Sequence, residues 1–245
     1  MDRYRNTTLK SIVTEDYRAA AVFERYSLDF CCGGGITVDE ACLEKELDPA
    51  LVYDELACLG GSSGTTPRFS EWPLDELVDF IVNVHHRFVR EAVPVLMAHT
   101  QKVASVHGGR HPEVVAVARH FEIVAGDLMA HMMKEEHVLF PYVASLVKAK
   151  REGGAFQLPP FGGAYNPIRL MEAEHQAAGD AMSAVRDLTN NYVPPGDACT
   201  TYRVAFQELK QFEEDLHRHV HLENNILFAK TIVLEEELMA LAAAR

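Results

Sequence analysis

The chain has 245 residues, a formal net charge of −13 and an apolar fraction of 48%. This length suits one or two domains with a full hydrophobic core. The acidic balance argues against a nucleic-acid or anionic-membrane surface, because both need basic patches, and no apolar stretch is long enough to predict a membrane-spanning helix. The five cysteines are an odd number and include the adjacent pair Cys31 and Cys32, so they indicate a reducing, cytoplasmic location rather than a disulfide framework.

Residues 1–59 predict a small helical domain. Its first helix, which should carry Ala20, Val22, Phe23 and Tyr26, is expected to be capped by Thr14. A second should begin at Thr37, which stands three residues before Glu40 in the spacing of a capping box. Pro49 marks the start of a third helix. The run Asp-Phe-Cys-Cys-Gly-Gly-Gly at 29–35 must form a loop between the first two helices.

Residues 60–69 predict a flexible linker, because glycines and serines are followed by a proline. Residues 70–245 then predict four long helices, with no strand-like alternation between them. Pro94 should kink the first of these helices and Pro141 should bend the second. Asn166 and Asp197 are the expected caps of the third and the fourth. The predicted fold class is all-α, an antiparallel four-helix bundle preceded by the small helical domain.

Two bundle segments repeat the pattern H-x3-E-x2-[VI]-L-F. In each segment the His and the Glu are four residues apart, so they share one face of a helix. A further His precedes the first segment by 45 residues and the second by 44. Facing helices of a bundle can point such groups at one interior site. The candidate metal ligands are His86, His131, Glu135, His175, His219 and Glu223.

This set of residues selects a particular kind of metal centre. Four imidazoles and two carboxylates exceed what one tetrahedral zinc ion needs. Two bridging carboxylates would hold two metal ions about 3.5–4 Å apart. Nitrogen and oxygen ligands of this kind suit iron, so a non-haem di-iron site is the best fit, with manganese or mixed metals left open.

Neighbouring side chains leave alternatives to this set. A histidine beside His86 would point about 100° away on a helix. The register of the repeat favours His219 over the two histidines closest to it. A glutamate three residues before His175 has the spacing of ferritin-type Glu-x-x-His motifs and is a candidate for an additional carboxylate. The alternatives are His85, His217, His221 and Glu172.

The chain closely resembles the iron–sulfur cluster repair di-iron family, also called repair of iron centres, over nearly its whole length. The resemblance rests on Leu-Asp-Phe-Cys-Cys-Gly-Gly at 28–34 and on hemerythrin-like segments at 131–136, 171–175 and 222–228. It implies a hemerythrin-like bundle with six iron ligands at the positions that the spacing gave. It further implies that the two glutamates bridge two iron ions, with an oxo bridge as a further option.

The resemblance also implies a cytoplasmic protein that helps to restore iron–sulfur enzymes damaged by nitric oxide or peroxide. Its expected partners are those damaged proteins, with nitric oxide or dioxygen as small ligands. Cys31 and Cys32 would act as a soft ligand pair for transient iron or nitrosyl, or as a redox couple. Whether the protein reduces nitric oxide stays open, and a homodimer is one arrangement that the linker permits. The competing interpretation is a hemerythrin-like protein that binds or senses nitric oxide or dioxygen.

The three remaining cysteines are predicted to be packed small residues without a chemical role. They are Cys42, Cys58 and Cys199.

Overall fold

A computed structural model describes residues 4–59, 67–153 and 157–243. Within these ranges the regular elements are helices, and one isolated pairing joins Thr8 to Thr37. The all-α prediction is therefore confirmed. Most of the predicted linker, residues 60–66, lies outside the described residues, so that boundary stays a prediction. None of the described helices is both long and apolar enough to span a membrane.

The N-terminal module, residues 4–59, contains four short helices. Thr37 and Glu40 form the predicted capping box, in which each side chain bonds to the backbone of the other. The prediction that Thr14 caps the helix with Ala20 and Phe23 was wrong, because the N-cap position of that helix is Arg18. Thr14 lies inside the preceding helix, which Thr8 caps, and its hydroxyl donates to the Lys10 carbonyl. The helices are α1 (Leu9–Glu15), α2 (Ala19–Arg25), α3 (Val38–Glu44) and α4 (Pro49–Leu59).

Four long bundle helices follow the module, and three of them contain a π-helical segment. The second bundle helix packs against the first and the third, and the fourth packs against the third and the first, which closes the ring. The α-helical parts are α5 (Leu74–Phe80), α6 (Arg87–His107), α7 (Glu113–Lys134), α8 (Phe140–Glu152), α9 (Tyr165–Leu188), α10 (Thr200–Leu222) and α11 (Phe228–Ala243). The π-helical segments are Ile81–His86 between α5 and α6, Glu135–Leu139 between α7 and α8, and Glu223–Leu227 between α10 and α11.

The predicted caps of the third and fourth bundle helices were wrong. The third, α9, begins at Tyr165, and Asn166 lies within it and donates to the Phe161 carbonyl. Asp197 lies before α10 and pairs with His111, while the cap position of α10 is taken by Cys199. Polar residues near a helix start can bond to other groups instead of capping the helix. Asn166 does so through a local contact and Asp197 through a tertiary one.

The buried apolar residues form two clusters at different levels of the bundle. One joins the N-terminal module to the half of the bundle that contains Val89, Leu128 and Phe212. The other fills the half that contains Leu77 and Leu139. Each bundle helix passes from one cluster to the other near the predicted metal ligands. The fold therefore places a polar layer between two apolar layers.

Candidate metal centre

All six predicted ligands converge in this polar layer and are at most 2% exposed. Their ligand atoms form two overlapping groups, each with atoms within 4.8 Å of one another. Both groups contain Glu135 and Glu223, so the two carboxylates are shared. The first group adds His86 and His219, and the second adds His131 and His175.

The distances show how the glutamates lie between the imidazoles. The Nε2 atoms of His86 and His131 both lie 3.3 Å from Oε2 of Glu135. Oε1 of Glu223 lies 3.0 Å from His219 Nε2, and its Oε2 lies 3.1 Å from His175 Nε2. Each carboxylate therefore approaches one imidazole of each group.

Local helix geometry assists this convergence. His86 ends one π-helical segment, whereas Glu135 and Glu223 each begin one. A π-helical turn contains an extra residue, and such turns are frequent at functional sites. The wider turn rotates the neighbouring side chains about the helix axis. In three of the four bundle helices this rotation occurs where the six side chains meet.

Three of the four imidazoles contact an oxygen atom on the side away from the cluster. Two of these oxygens belong to the carboxylates of Glu136 and Glu174, which also form ion pairs with Arg90 and Lys134, respectively. Because these oxygens accept hydrogen bonds, each Nδ1 carries the hydrogen of the neutral ring and each Nε2 presents a lone pair to the cluster. The contacts are His86 Nδ1 to Glu136 Oε1 (2.6 Å), His131 Nδ1 to Glu174 Oε2 (2.8 Å) and His175 Nδ1 to Asn224 Oδ1 (2.8 Å).

The chemistry of the cluster fits a bound cation. The Nε2 atoms of His131 and His175 lie 2.9 Å apart, and two lone pairs at this distance repel unless a proton or metal ion lies against them. Both oxygens of Glu135 and Nε2 of His86 are buried without a hydrogen-bond partner in the described part of the chain. Such buried groups cost about 1–3 kcal/mol each when nothing compensates them. A metal ion would compensate several of them together.

The pKa shifts of the cluster residues also show how strongly the two carboxylates attract positive charge. Burial opposes a charge on His86, but Glu135 and Glu223 outweigh burial and raise the pKa of His86 to about 10. Burial likewise opposes a charge on His131, but contact with Glu135 prevails and raises the pKa of His131 to about 9. Burial also opposes ionisation of Glu223, yet the adjacent His219 and His175 hold its pKa well below the usual range. Positive charge is therefore favoured at His86 and His131, where protons compete with metal ions for the nitrogen atoms. At His219 burial prevails and lowers the pKa.

The alternatives that the sequence left open lie outside the cluster. His85 is buried beside it, with its ring stacked 5.5 Å from the ring of His219 and its Nδ1 2.9 Å from Asp215. Glu172 is exposed on α9. His217 pairs with Glu24 of the N-terminal module.

Sequence reasoning missed the residues that orient the imidazoles. Glu136, Glu174 and Asn224 are each adjacent in the chain to a member of the cluster, and that adjacency was the available signal. A neighbouring residue on a helix points about 100° away, so each of the three reaches a histidine on a different bundle helix. Recognising them required knowledge of which helices are neighbours.

The Cys31–Cys32 loop, residues 29–34, lies against α10. Asp29 Oδ1 accepts from the backbone amides of Cys31 (2.9 Å) and Cys32 (3.1 Å), and Oδ2 accepts from Gly33 (2.8 Å). Both thiols are free, with their sulfur atoms 3.8 Å apart. A Cβ at Gly34 would collide with the Phe30 carbonyl, so this position needs glycine. The loop is therefore held in one conformation by Asp29 and by close backbone packing.

Both thiols line a cavity of about 290 Å³ between the module and the bundle, which His217 and Arg186 also line. The neighbouring Cys32 thiol, burial and the Asp29 carboxylate together raise the pKa of Cys31 well above its usual range. Cys31 is therefore a protonated thiol at neutral pH. The structure leaves this thiol pair and the six-residue cluster as separate sites.

The remaining cysteines only partly follow the prediction. Cys42 is buried in the module, as expected. Cys58 and Cys199 are exposed, so the expectation that they are packed was wrong for both. Cys199 lies beside His107, whose Nε2 is 3.2 Å from its sulfur atom.

The four-helix bundle with buried, shared glutamates defines a hemerythrin-like protein. Residues 77–231 match the hemerythrin HHE cation binding domain, and residues 5–59 match a domain of unknown function, DUF542. The bundle is thereby placed in a cation-binding class, and the N-terminal module coincides with the residues that match DUF542.

Curated relatives cover almost the whole chain. The iron-sulfur cluster repair protein YtfE of Edwardsiella ictaluri is 35% identical over 229 residues, which are 94% of this chain and 98% of that protein. The proteins of the same name from Enterobacter sp. strain 638 and Escherichia coli O8 are each 34% identical over 235 residues, or 95% of this chain and 99% of theirs. The chain belongs to the YtfE family of iron–sulfur cluster repair proteins, and the predicted family resemblance is confirmed.

Proposed function

We propose that the chain is a di-iron protein that helps to repair iron–sulfur clusters damaged by nitrosative or oxidative stress. It would do so by donating iron, by handling nitric oxide, or by both. The observation that carries this proposal is the sharing of Glu135 and Glu223 between two groups of buried imidazoles. Two shared carboxylates suit a pair of metal ions about 3.5–4 Å apart. The repair role is supported by the names of the full-length relatives.

The proposed ligands divide evenly between two iron ions. His86 and His219 would hold one ion, His131 and His175 the other, and both glutamates would bridge. Imidazole and carboxylate ligands suit iron. When bound, ferrous ions with open coordination positions supply sites for nitric oxide or dioxygen and iron that can be exchanged. The residues around the cluster would fix the imidazole tautomers, and the apolar layers on either side would limit the access of water.

The proposed partners are damaged iron–sulfur proteins. Cys31 and Cys32, which line the cavity between module and bundle, would exchange iron or nitrosyl with them. Two adjacent thiols are soft ligands, suited to iron or nitrosyl in transit. Cys31 has to release its proton when it binds a metal, which its raised pKa makes costly. Such a thiol would bind transiently. The cytoplasmic location and the homodimer stay predictions.

The test is the recovery of an iron–sulfur enzyme inactivated by nitric oxide, with the iron-loaded chain as the repair agent. The wild type should restore activity faster than free ferrous iron at equal concentration. The Cys31→Ser/Cys32→Ser chain should lose most of this advantage, whereas Cys58→Ser/Cys199→Ser, which removes two exposed thiols, should retain it. No advantage of the wild type over free iron would refute the repair role. Full activity of the Cys31→Ser/Cys32→Ser chain would remove only the thiols from the proposal.

A further inference from the structure

Asn225 connects the Cys31–Cys32 loop to the scaffold of the metal cluster. Its Nδ2 atom donates to the carbonyl oxygen of Cys31 at 3.2 Å. The same atom lies 3.1 Å from Nδ1 of His221. Nδ2 carries two hydrogens, so it can make both contacts, and together they fix the plane of the amide.

The position of Asn225 in the chain gives these contacts their significance. It lies in the π-helical segment Glu223–Leu227. Glu223 is a proposed bridging ligand, and Asn224 contacts Nδ1 of His175 at 2.8 Å. Of these three successive residues, Glu223 belongs to the cluster, Asn224 orients one of its imidazoles, and Asn225 contacts the N-terminal module. A displacement of Asn225 would reach Asn224 through one peptide bond and Glu223 through two.

The loop side of the contact is equally constrained. Asp29 accepts hydrogen bonds from the amides of Cys31, Cys32 and Gly33, so the Cys31 peptide is tied to the conformation of the loop that carries both thiols. The preceding residue, Phe30, packs its ring 5.7 Å from that of His221. A movement of the thiols would therefore move the Cys31 carbonyl as well.

We propose that Asn225 is a positioning residue that couples the Cys31–Cys32 loop to the buried metal cluster. Displacement of the loop shifts the segment that holds Glu223 and Asn224, and the bound metal is then held less tightly. Engagement of the thiols by a partner would thereby promote the release of iron without contact between thiol and iron. The inference rests on the proposed binding of metal by the cluster, but it requires neither that the metal is iron nor that the chain has repair activity.

The experiment measures how fast a ferrous chelator removes iron from the loaded full-length chain. Asn225→Ala removes both contacts and should speed iron loss about tenfold, the lower end of the range for residues that support metal ligands. The absorption spectrum of the oxidised, loaded protein should shift as well. The control is Glu24→Gln, which breaks another contact between module and bundle, the pair of Glu24 with His217 at 3.3 Å. It should change the rate by less than about twofold.

A double-mutant cycle tests the coupling itself. Gly34→Ala should displace the loop, because the added Cβ collides with the Phe30 carbonyl, whereas Gly35→Ala meets no atom within 4 Å. Gly34→Ala should speed iron loss several-fold in the wild-type chain and add nothing in the Asn225→Ala chain. Gly35→Ala should have no effect in either background.

Three results would overturn the coupling. They are an unchanged rate in Asn225→Ala, an equal rate in Glu24→Gln and Asn225→Ala, and effects of Gly34→Ala and Asn225→Ala that simply multiply. If Gly34→Ala does not fold, the comparison of Asn225→Ala with Glu24→Gln decides alone. A wild type that holds a metal other than iron would contradict the proposed function and leave this test intact, because the release of that metal is measured in the same way.

Discussion

Three of the four histidines in the cluster are held by a hydrogen bond from the next bundle helix, whereas the fourth is held by ring stacking. The three bonded histidines are His86, His131 and His175, and their partners are Glu136, Glu174 and Asn224. For His219 the corresponding place on the first bundle helix is taken by His85, whose ring lies parallel to it at 5.5 Å. Within the described residues, Nδ1 of His219 has no hydrogen-bond partner.

This difference predicts that the two metal ions are bound with unequal affinity. A hydrogen bond to Nδ1 fixes both the tautomer and the orientation of an imidazole and raises its basicity, whereas stacking fixes only the ring plane. The group with His131 and His175 has two imidazoles held by hydrogen bonds, and the group with His86 and His219 has one. We expect the ion beside His219 to be held less tightly and to be the one that exchanges.

Removing a shared carboxylate should have the largest effect, because it damages both groups. Glu223→Gln keeps the shape of the side chain but removes its charge, and should reduce the iron content from two ions per chain to one or none. The measurement is iron analysis after anaerobic loading. Glu172→Gln, an exposed glutamate on α9, is the control and should retain both ions. An unaltered load of two ions in Glu223→Gln would contradict the sharing.

Removing an orienting residue should weaken one group selectively. Glu174→Ala leaves His131 without its Nδ1 partner, so the affinity of the His131/His175 group should fall about 10–100-fold. Titration with ferrous iron measures this loss. The ion at this position should then leave before the ion beside His219. Equal weakening of both ions would indicate that Glu174 acts on the whole bundle rather than on His131.

Stepwise metal removal tests the comparison in the unaltered chain. A ferrous chelator should remove the two ions in two phases, with the first about tenfold faster than the second. Stopped-flow absorption of the iron–chelator complex measures both phases. A single phase that releases two ions together would contradict the inequality of the two groups.

The smallest effect is expected at His85. His85→Phe keeps an aromatic ring against His219 and should change the rate of the first phase by no more than about twofold. His85→Ala removes the ring and should speed that phase several-fold. If both variants speed the first phase equally relative to the wild type, the link from His85 to Asp215, and not the stacking, supports His219.

The sequence was sufficient for the six converging side chains because their signal is periodic. The repeated H-x3-E places His and Glu on one helical face, and a buried face of a bundle can only point inward. The caps at Thr14, Asn166 and Asp197 were predicted wrongly, because each of these residues found a partner through local or tertiary contacts that spacing does not reveal.

The π-helical segments and the orienting residues could not be predicted for the same physical reason. A π turn differs from an α turn by one residue, and its formation at Glu135 and Glu223 depends on how the helices meet. Glu136 and Asn224 resemble ordinary surface residues until the neighbouring helix is known. The contact of Asn225 with Cys31 likewise depends on where the N-terminal module docks.

The most direct test of the central claim is the iron content and magnetic coupling of the wild-type chain, loaded anaerobically and then oxidised. Mössbauer spectroscopy with metal analysis provides both. The account predicts two iron ions per chain that behave as one spin-coupled pair. A single uncoupled ion, or two ions without coupling, would contradict the claim that Glu135 and Glu223 bridge a pair of metal ions.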